Sequence, residues 1–268
     1  MDLHLKDKRA LVTGSSSGIG AEVARFLARE GVAVVVHGRN AERAQAVADE
    51  ITTRGGRAAI ALGDLSTAEG LDHVIDAAAR AFGGIDILVN NAGGATNVAH
   101  ASWFDAPLEE WLDEYKSNTL PAVRLVQAFV PGMRERRWGR VIQISSRNAI
   151  SPHAQLGAYG ASKAALNNFT LSLSKALAGT GVTSNGIMPG LIYTPALDGW
   201  FREIAAKQGL TDPAEGRAWV LKNAVHQTVD RLGLPADIAE AVCFLASPLT
   251  DFMTGTTFRI DGGATPTV

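Results

Sequence analysis

The chain of 268 residues has a single cysteine, Cys243, and so offers no partner for a disulfide within it. Cys243 lies in the apolar run 241–246, which predicts a small core residue rather than a nucleophile. No run of about 18 apolar residues occurs, and residues 1–8 are charged, so the sequence predicts neither a membrane span nor a secretory signal. We therefore expect a cytoplasmic protein.

An excess of charge of one sign is also missing. Lysine and arginine total 25 against 27 aspartate and glutamate, which gives a formal net charge of −2. Without a basic field, neither nucleic acid nor a membrane surface is an expected partner. We expect the partner to be a small molecule. The six histidines are scattered, with no pair at metal-ligand spacing and no cysteine or carboxylate cluster beside them, so no metal site is predicted.

Short β-branched runs alternate along the chain with longer alanine-rich amphipathic stretches, and this pattern predicts an α/β fold. Continuous apolar strands between helices indicate a parallel sheet covered on both faces, within one domain spanning residues 1–268. One long helix is expected to end near Arg136. The stretch 195–230 breaks the pattern and is a candidate substrate cover, with a small helical packing element as the equal alternative.

Tyr159 and Lys163 stand four residues apart in a predicted helix running to about residue 178, thirteen residues after Ser146. At this spacing both side chains lie on one helix face, so the ammonium can sit beside the phenol and favour its ionised form. A phenol that gives and takes protons near neutrality needs such a neighbour. The trio therefore indicates a proton-transfer site, although tyrosine and lysine also meet by chance on helix surfaces.

A glycine-rich turn, residues 13–20, follows the first predicted strand and leads into a helix. Glycines there let the backbone approach a pyrophosphate, which backbone amides and the positive end of the helix would bind. The second strand ends at Gly38, where a carboxylate would select NAD, and Arg39 suits the 2′-phosphate of NADP. The sequence therefore favours NADP(H), with NAD(H) possible; Arg39 as a plain turn residue is the alternative.

From Lys8 to Gly263 these motifs, in order and spacing, resemble the short-chain dehydrogenase/reductase family, and its 3-oxoacyl reductase-like members in particular. The matching residues are Thr13 to Gly20, Asn90 to Gly93, Asn118, Ser146, Tyr159, Lys163, Pro189, Gly190 and Thr194. The resemblance implies a Rossmann-like doubly wound fold with a seven-stranded parallel sheet, and interconversion of a carbonyl and an alcohol with NAD(P)(H). Ser17 departs from many NADP-linked members, which carry a basic residue there.

The resemblance also implies the roles of individual residues. Tyr159 would be the general acid in reduction, Ser146 would bond the substrate oxygen, Lys163 would hold the nicotinamide ribose, and Asn118 would hold a water that links Lys163 to solvent. Ser145 is then expected to be structural. The implied cofactor-binding set is Gly14, Ser16, Ser17, Gly18, Ile19, Gly20, Arg39, Asp64, Leu65, Asn91, Ala92, Gly93, Tyr159, Lys163, Pro189, Gly190, Ile192 and Thr194.

The substrate itself is not identified by the sequence. Residues that would line its pocket are Gly94, Ser146, Asn148, His153, Leu156, Leu191 and Trp200. Trp200, Phe201 and Trp219 would favour a hydrophobic or ring-bearing substrate, unless they serve packing. Two other functions remain open, an NAD-linked alcohol or sugar dehydrogenase and a non-catalytic NADP(H) sensor. The family likeness further implies a homotetramer.

Overall fold

The computed structural model describes residues 1–95 and 103–266. The strands of this part are β1 Arg9–Val12, β2 Ala33–Gly38, β3 Arg57–Leu62, β4 Ile87–Asn90, β5 Gly139–Ile144, β6 Val182–Pro189 and β7 Thr257–Ile260. Its α-helices are α1 Gly18–Arg29, α2 Ala41–Thr53, α3 Ala68–Ala81, α4 Leu108–Asn118, α5 Leu120–Glu135, α6 Gly157–Ala176, α7 Asp198–Lys207, α8 Pro213–Asn223 and α9 Pro235–Ala246.

The strands form one seven-stranded parallel sheet in the order β3-β2-β1-β4-β5-β6-β7, which confirms the predicted Rossmann-like architecture. The strand order reverses between β1 and β4. In open parallel sheets a ligand crevice forms at such a point, outside the carboxyl ends of the strands. The glycine-rich turn after β1 and the asparagine pair at the end of β4 both lie there.

Helices cover both faces of the sheet because successive strand residues point to opposite sides. On one face Val12 and Val36 pack with residues of α1, α2 and α9. On the other face Leu11 and Val35 pack with residues of α3, α5 and α6. Both sets are fully buried, which explains why the strands are apolar runs rather than alternating patterns. Cys243 is buried in α9, and burial raises the pKa of its thiol to about 12.

The predicted long helix ending near Arg136 is wrong in one respect, since it consists of two helices. Helix α4 ends at Asn118 and α5 begins at Leu120. Pro121 has no N–H to donate to the preceding turn, so the helical ladder cannot run through this point. The break places the Asn118 side chain at the end of a helix, above the carboxyl edge of the sheet.

The insert at residues 195–230 consists mainly of α7 and α8, which pack on each other. Phe201 is fully buried in a small apolar cluster with Val220, Val225 and Ala264. Trp219 packs against this cluster, whereas Trp200 is 39% exposed. Phe201 is therefore a core residue of the insert and not the pocket-lining aromatic that the sequence allowed.

At the amino edge of the sheet, Asp86 joins β1 to the end of α5. Its carboxylate accepts hydrogen bonds from Arg9 Nε at 2.7 Å and Nη2 at 2.6 Å, and from Arg136 Nε at 3.1 Å. Burial opposes ionisation of Asp86, but the bonds and charges of the two guanidinium groups prevail, so its pKa lies below the ordinary value. This cluster stabilises the fold at the edge opposite the glycine-rich turn.

We expect Asp86→Asn to lower the free energy of unfolding by about 2 to 4 kcal/mol at pH 7, since it leaves two guanidinium groups poorly compensated. Because the folded-state pKa is depressed, the stabilisation is present above the unfolded-state pKa of about 4 and is lost as pH falls through the folded-state value. Urea denaturation at several pH values measures the difference. Asp72→Asn, which removes an exposed ion pair with Arg124, is the control and should cost under about 1 kcal/mol. An equal loss of unfolding free energy in the two variants would contradict the stabilising role of the Asp86 cluster.

Candidate active site

The glycine-rich turn is held open by side chains beneath it. Gly14 and Gly18 have positive φ angles of 65° and 57°, which favour glycine. The Ser15 hydroxyl donates to the Val12 carbonyl at 2.6 Å and accepts from the His37 N–H at 2.9 Å. His37 Nδ1 in turn accepts from the Gly14 N–H at 2.8 Å. Burial lowers the pKa of His37, which keeps this nitrogen free to accept. His37 was not among the predicted site residues.

The turn and the start of α1 fit a dinucleotide. The residue that precedes α1, Ser17, makes no side-chain cap, so the first amides of the helix point outward. A Cβ at Gly20 would overlap the Asn91 amide and the Gly14 carbonyl, so the close packing requires glycine. Asn91 Nδ2 donates to the Thr13 carbonyl at 2.8 Å, which joins the two loops at the switch point. Ser16, Ala92 and Gly93 lie in the same two loops, and Ile19 lies in the first turn of α1.

The end of β2 carries no carboxylate. A Cβ at Gly38 would overlap the Ser16 side chain, so this space is already filled. Arg39 is 77% exposed, with Nη1 3.5 Å from Asp64 Oδ2. Hydrogen bonds from Ser66, with the charge of Arg39, lower the pKa of Asp64. Leu65, the next residue, is buried. An exposed guanidinium without a carboxylate on β2 is the arrangement that suits a 2′-phosphate.

Ser146 and Tyr159 meet on the substrate side of the sheet. Ser146 follows β5 and is buried, and its hydroxyl lies close enough to the Tyr159 hydroxyl to lower the pKa of that phenol. Burial raises the pKa of Tyr159, and the Ser146 hydroxyl only partly opposes the increase. The phenol is therefore protonated at neutral pH. Its pKa shift is opposite in direction to the one that the tyrosine–lysine spacing suggests.

Lys163 lies one turn further along α6 and is almost completely buried. Its Nζ donates to the Ile144 carbonyl at 3.0 Å and lies 5.8 Å from the centre of the Tyr159 ring. Burial lowers the pKa of Lys163 to about 8. The Ser145 hydroxyl donates to the Lys163 carbonyl at 3.1 Å, so Ser145 fastens α6 to β5.

The Asn118 amide joins the end of α4 to the loop after β4. Its Oδ1 accepts from the Gly94 N–H at 2.9 Å, and its Nδ2 donates to the Gly94 carbonyl at 3.1 Å. A Cβ at Gly93 would overlap the same oxygen. Nδ2 also donates to Glu114 Oε2 at 2.6 Å. Asn118 therefore positions the Gly93–Gly94 backbone, and Glu114 is a buried acid that the motif search missed.

The segment after β6 crosses in front of the glycine-rich turn. The Gly190 N–H donates to the Ile260 carbonyl at 2.9 Å, and a Cβ there would overlap the Asp261 backbone, so sheet packing alone already requires this glycine. Ile192 is buried and forms an isolated bridge with Gly233. The methyl group of Thr194 lies 3.5 Å from the point where a Cβ of Gly18 would stand. Pro189 to Thr194 thus reach the predicted cofactor cleft.

The predicted substrate residues occupy three segments. Asn148 follows Ser146, and its N–H donates to the Ser146 hydroxyl at 3.2 Å. His153 and Leu156 lie just before α6, with His153 exposed, while Leu191 packs on the insert cluster and Trp200 lies on α7. Trp103 was missed by sequence reasoning because it belongs to no motif. A Cβ at Gly157, two residues before Tyr159, would overlap its indole, so Trp103 borders the start of α6.

Together these contacts place a protonated phenol, a serine hydroxyl and a buried ammonium beside a cleft shaped for a dinucleotide. The arrangement can transfer a proton to an oxygen atom while a bound nicotinamide exchanges hydride with the attached carbon. Within residues 1–95 and 103–266, no cluster of three or more potential metal ligands occurs. A membrane-spanning helix is likewise absent from those residues.

Comparisons with known proteins agree with this arrangement. The sequence profile of the short chain dehydrogenase family matches residues 8–205. The 3-oxoacyl-[acyl-carrier-protein] reductase of Vibrio cholerae is 35% identical over 97% of this chain and 98% of its own length. The 7α-hydroxysteroid dehydrogenase of Escherichia coli K12 is 34% identical over 98% and 96%, and a solved complex of a 7α-hydroxysteroid dehydrogenase with NADH has a TM-score of 0.85.

A crystal structure of the L-sorbose reductase of Gluconobacter frateurii with NADPH and L-sorbose resembles the whole chain, with 33% identity, a TM-score of 0.94 and 100% of both chains covered. The family profile covers well over half of the sequence, and the curated relatives align along nearly all of it. The chain therefore belongs to the short-chain dehydrogenase/reductase family, as a 3-oxoacyl reductase-like member, and is an NAD(P)(H)-dependent oxidoreductase of CH–OH and C=O groups.

Proposed function

We propose that this protein is an NADPH-dependent reductase that converts a ketone or 3-oxoacyl-type carbonyl into a secondary alcohol, with Tyr159 as general acid. The observation that carries the proposal is the pairing of Ser146 and Tyr159 beside buried Lys163, whose Nζ lies 5.8 Å from the centre of the Tyr159 ring. A non-catalytic sensor has no need of this complete arrangement. When bound, NADPH supplies the hydride.

Tyr159 begins the reduction in the protonated form, since its pKa is raised. As negative charge develops on the substrate oxygen, the phenol gives up its proton and the Ser146 hydroxyl donates a hydrogen bond to the same oxygen. The resulting phenolate is stabilised by the positive charge of Lys163 on the adjacent helical turn. Lys163 is also the residue that would hold the nicotinamide ribose. Asn118 would hold a water that links Lys163 to solvent.

The preference for NADPH is supported by the end of β2. Arg39 is exposed there. Among the described residues, Asp64 is the only carboxylate that forms an ion pair with it. A bound 2′-phosphate would replace that weak surface pair with a charge-assisted contact. The similar sorbose reductase was solved with NADPH, which agrees with this preference.

The substrate pocket is proposed to lie between Gly94, the segment from Asn148 to Leu156, Leu191 and Trp200. A second candidate substrate class is a keto sugar, which the likeness to L-sorbose reductase favours. The polar Asn148 and His153 would suit sugar hydroxyls, whereas Trp200 and Trp103 would suit a ring or an acyl chain. An NAD-linked alcohol or sugar dehydrogenase is the alternative in the oxidative direction.

We expect Tyr159→Phe to lower kcat by at least about a hundredfold, because general acid catalysis contributes about 10² to 10⁴. The measurement is NADPH consumption against a panel of ketones, 3-oxoacyl thioesters and keto sugars. Tyr193→Phe, whose hydroxyl bonds Asp198 in the insert, is the matched control and should keep its activity within a few-fold. NADPH affinity of both variants, followed by fluorescence, should stay close to that of the parent. Tight NADPH binding without turnover of any substrate by the parent would instead favour the sensor.

We expect Arg39→Ala to raise the KM for NADPH by about tenfold to a hundredfold, the usual worth of a charge-assisted contact. The KM for NADH should change by less than about threefold, since NADH has no 2′-phosphate. Initial rates with each cofactor measure both values. Arg43→Ala, an exposed arginine at the start of α2, is the control. An equal effect of Arg39→Ala on both cofactors would contradict the proposed preference.

We also propose a homotetramer located in the cytoplasm. Four leucines are at least 44% exposed on neighbouring helices, namely Leu108 and Leu112 of α4, Leu120 of α5 and Leu171 of α6. A contiguous apolar patch marks a protein contact, and we propose that these leucines contribute to one. Light scattering should give about four times the chain mass of 28.2 kDa, and replacing Leu112 and Leu171 by serine should lower it. A monomer at micromolar concentration would overturn this proposal.

A further inference from the structure

Glu114 is a buried carboxylate that none of the roles above uses. It lies on α4, one helical turn before Asn118, and only 1% of its surface is exposed. A carboxylate is costly to bury unless it is paired or hydrogen-bonded, so its presence beside a reacting centre calls for a physical reason. Two kinds of interaction supply that reason: a hydrogen bond with the neutral amide of Asn118, and an electrostatic interaction with Tyr159 and Lys163.

The first contact is the hydrogen bond from Asn118 Nδ2 to Glu114 Oε2, at 2.6 Å. The same Nδ2 and the neighbouring Oδ1 bind the Gly94 carbonyl and N–H. Since Oδ1 is an acceptor, the carboxylate also determines which way the amide faces: the NH₂ group must point to Glu114. Glu114 therefore holds the Gly93–Gly94 backbone in place through Asn118.

The second contact is electrostatic and crosses from α4 to α6. The titratable groups of α6 that face Glu114 are Tyr159 and Lys163, and its negative charge raises the pKa of both. Helices α4 and α6 are also joined at this level by the Thr119 hydroxyl, which donates to the Ser162 carbonyl at 2.9 Å. The buried acid and the buried ammonium thus lie in one water-poor region, where charges act strongly on each other.

We propose that Glu114 is a positioning residue of the reductase: its carboxylate fixes the Asn118 amide and provides the buried negative charge that keeps Lys163 protonated and Tyr159 a proton donor. This inference rests on the proposed function for its kinetic consequence. The interaction with Lys163 and Asn118 is a property of the folded chain and can be measured without turnover.

The direct test is Glu114→Gln, which keeps the shape of the side chain and removes its charge. In protein labelled with ¹³C at lysine Cε, NMR titration should show Lys163 changing protonation near pH 8 in the parent, and Lys163→Met assigns the signal. Because Glu114 raises the pKa of Lys163, the variant should titrate at least about half a pH unit lower. Glu109→Gln, which removes an exposed carboxylate from the first turn of the same helix, should leave the titration unchanged.

The kinetic test is the pH profile of kcat/KM for reduction. Activity needs protonated Tyr159 and Lys163, so the basic limb should move to lower pH in Glu114→Gln, by the same half unit or more. Glu114→Asp restores the charge with a shorter reach and should return the basic limb toward that of the parent. A purely structural role predicts a uniform loss at every pH and a larger loss for the shorter aspartate.

The outcomes separate the two proposals. An unchanged lysine titration in folded Glu114→Gln overturns this inference, whatever the activity. A shifted titration in a protein that reduces no carbonyl substrate supports the electrostatic role of Glu114 and contradicts the proposed function. If Glu114→Gln does not fold, Glu114→Ala, which also removes the charge, takes its place: a lysine titration at lower pH than in the parent supports the inference, and an unchanged titration overturns it.

Discussion

Burial of the Lys163 ammonium is the constraint on which the site depends. The side chain lies between α6 and β5, and the Ile144 carbonyl is its hydrogen-bond acceptor there. A buried cation of this kind loses its proton readily, and here its pKa is lowered to about 8. The surrounding groups therefore have to fix the position of α6, which Ser145 does, and to supply negative charge, which Glu114 does. Tyr159 lies one turn away on the same helix, and the negative charge of Glu114 raises its pKa as well.

The parallel sheet separates stability from chemistry. Its amino edge carries the Asp86 cluster, where ion pairs join β1 to the end of α5, away from the candidate active site. Its carboxyl edge carries loops whose polar groups bind one another across the switch point, as Asn91 does with Thr13. Because the carboxyl ends of all parallel strands lie at the same edge, residues far apart in sequence come together there. Substitutions at the two edges should for this reason have separable effects on stability and on activity.

Much of this could be predicted from the sequence. The apolar runs gave the strands, and the ordered motifs gave the family and the position of the glycine-rich turn. The break at Asn118 was not predicted as two helices, although Pro121 carries the signal for it. Glu114 was missed because one acid in a charged helix has the same pattern whether it faces solvent or the core. His37 was missed because its partner, the Gly14 N–H, becomes its neighbour only through the pairing of β1 and β2.

The pKa of Tyr159 shows most clearly what a spacing rule leaves out. Four residues of helix place Lys163 near the phenol, but the ammonium binds the Ile144 carbonyl and lies beside the ring, while burial and Glu114 act against ionisation. A neutral phenol is the correct starting state for reduction, which consumes its proton, and the wrong one for oxidation, which needs a phenolate to accept one. In the proposed reductase, Tyr159 would therefore begin in the protonated form that the reaction consumes. In oxidation the phenol would have to lose its proton first, and the positive charge of Lys163 would stabilise the resulting phenolate.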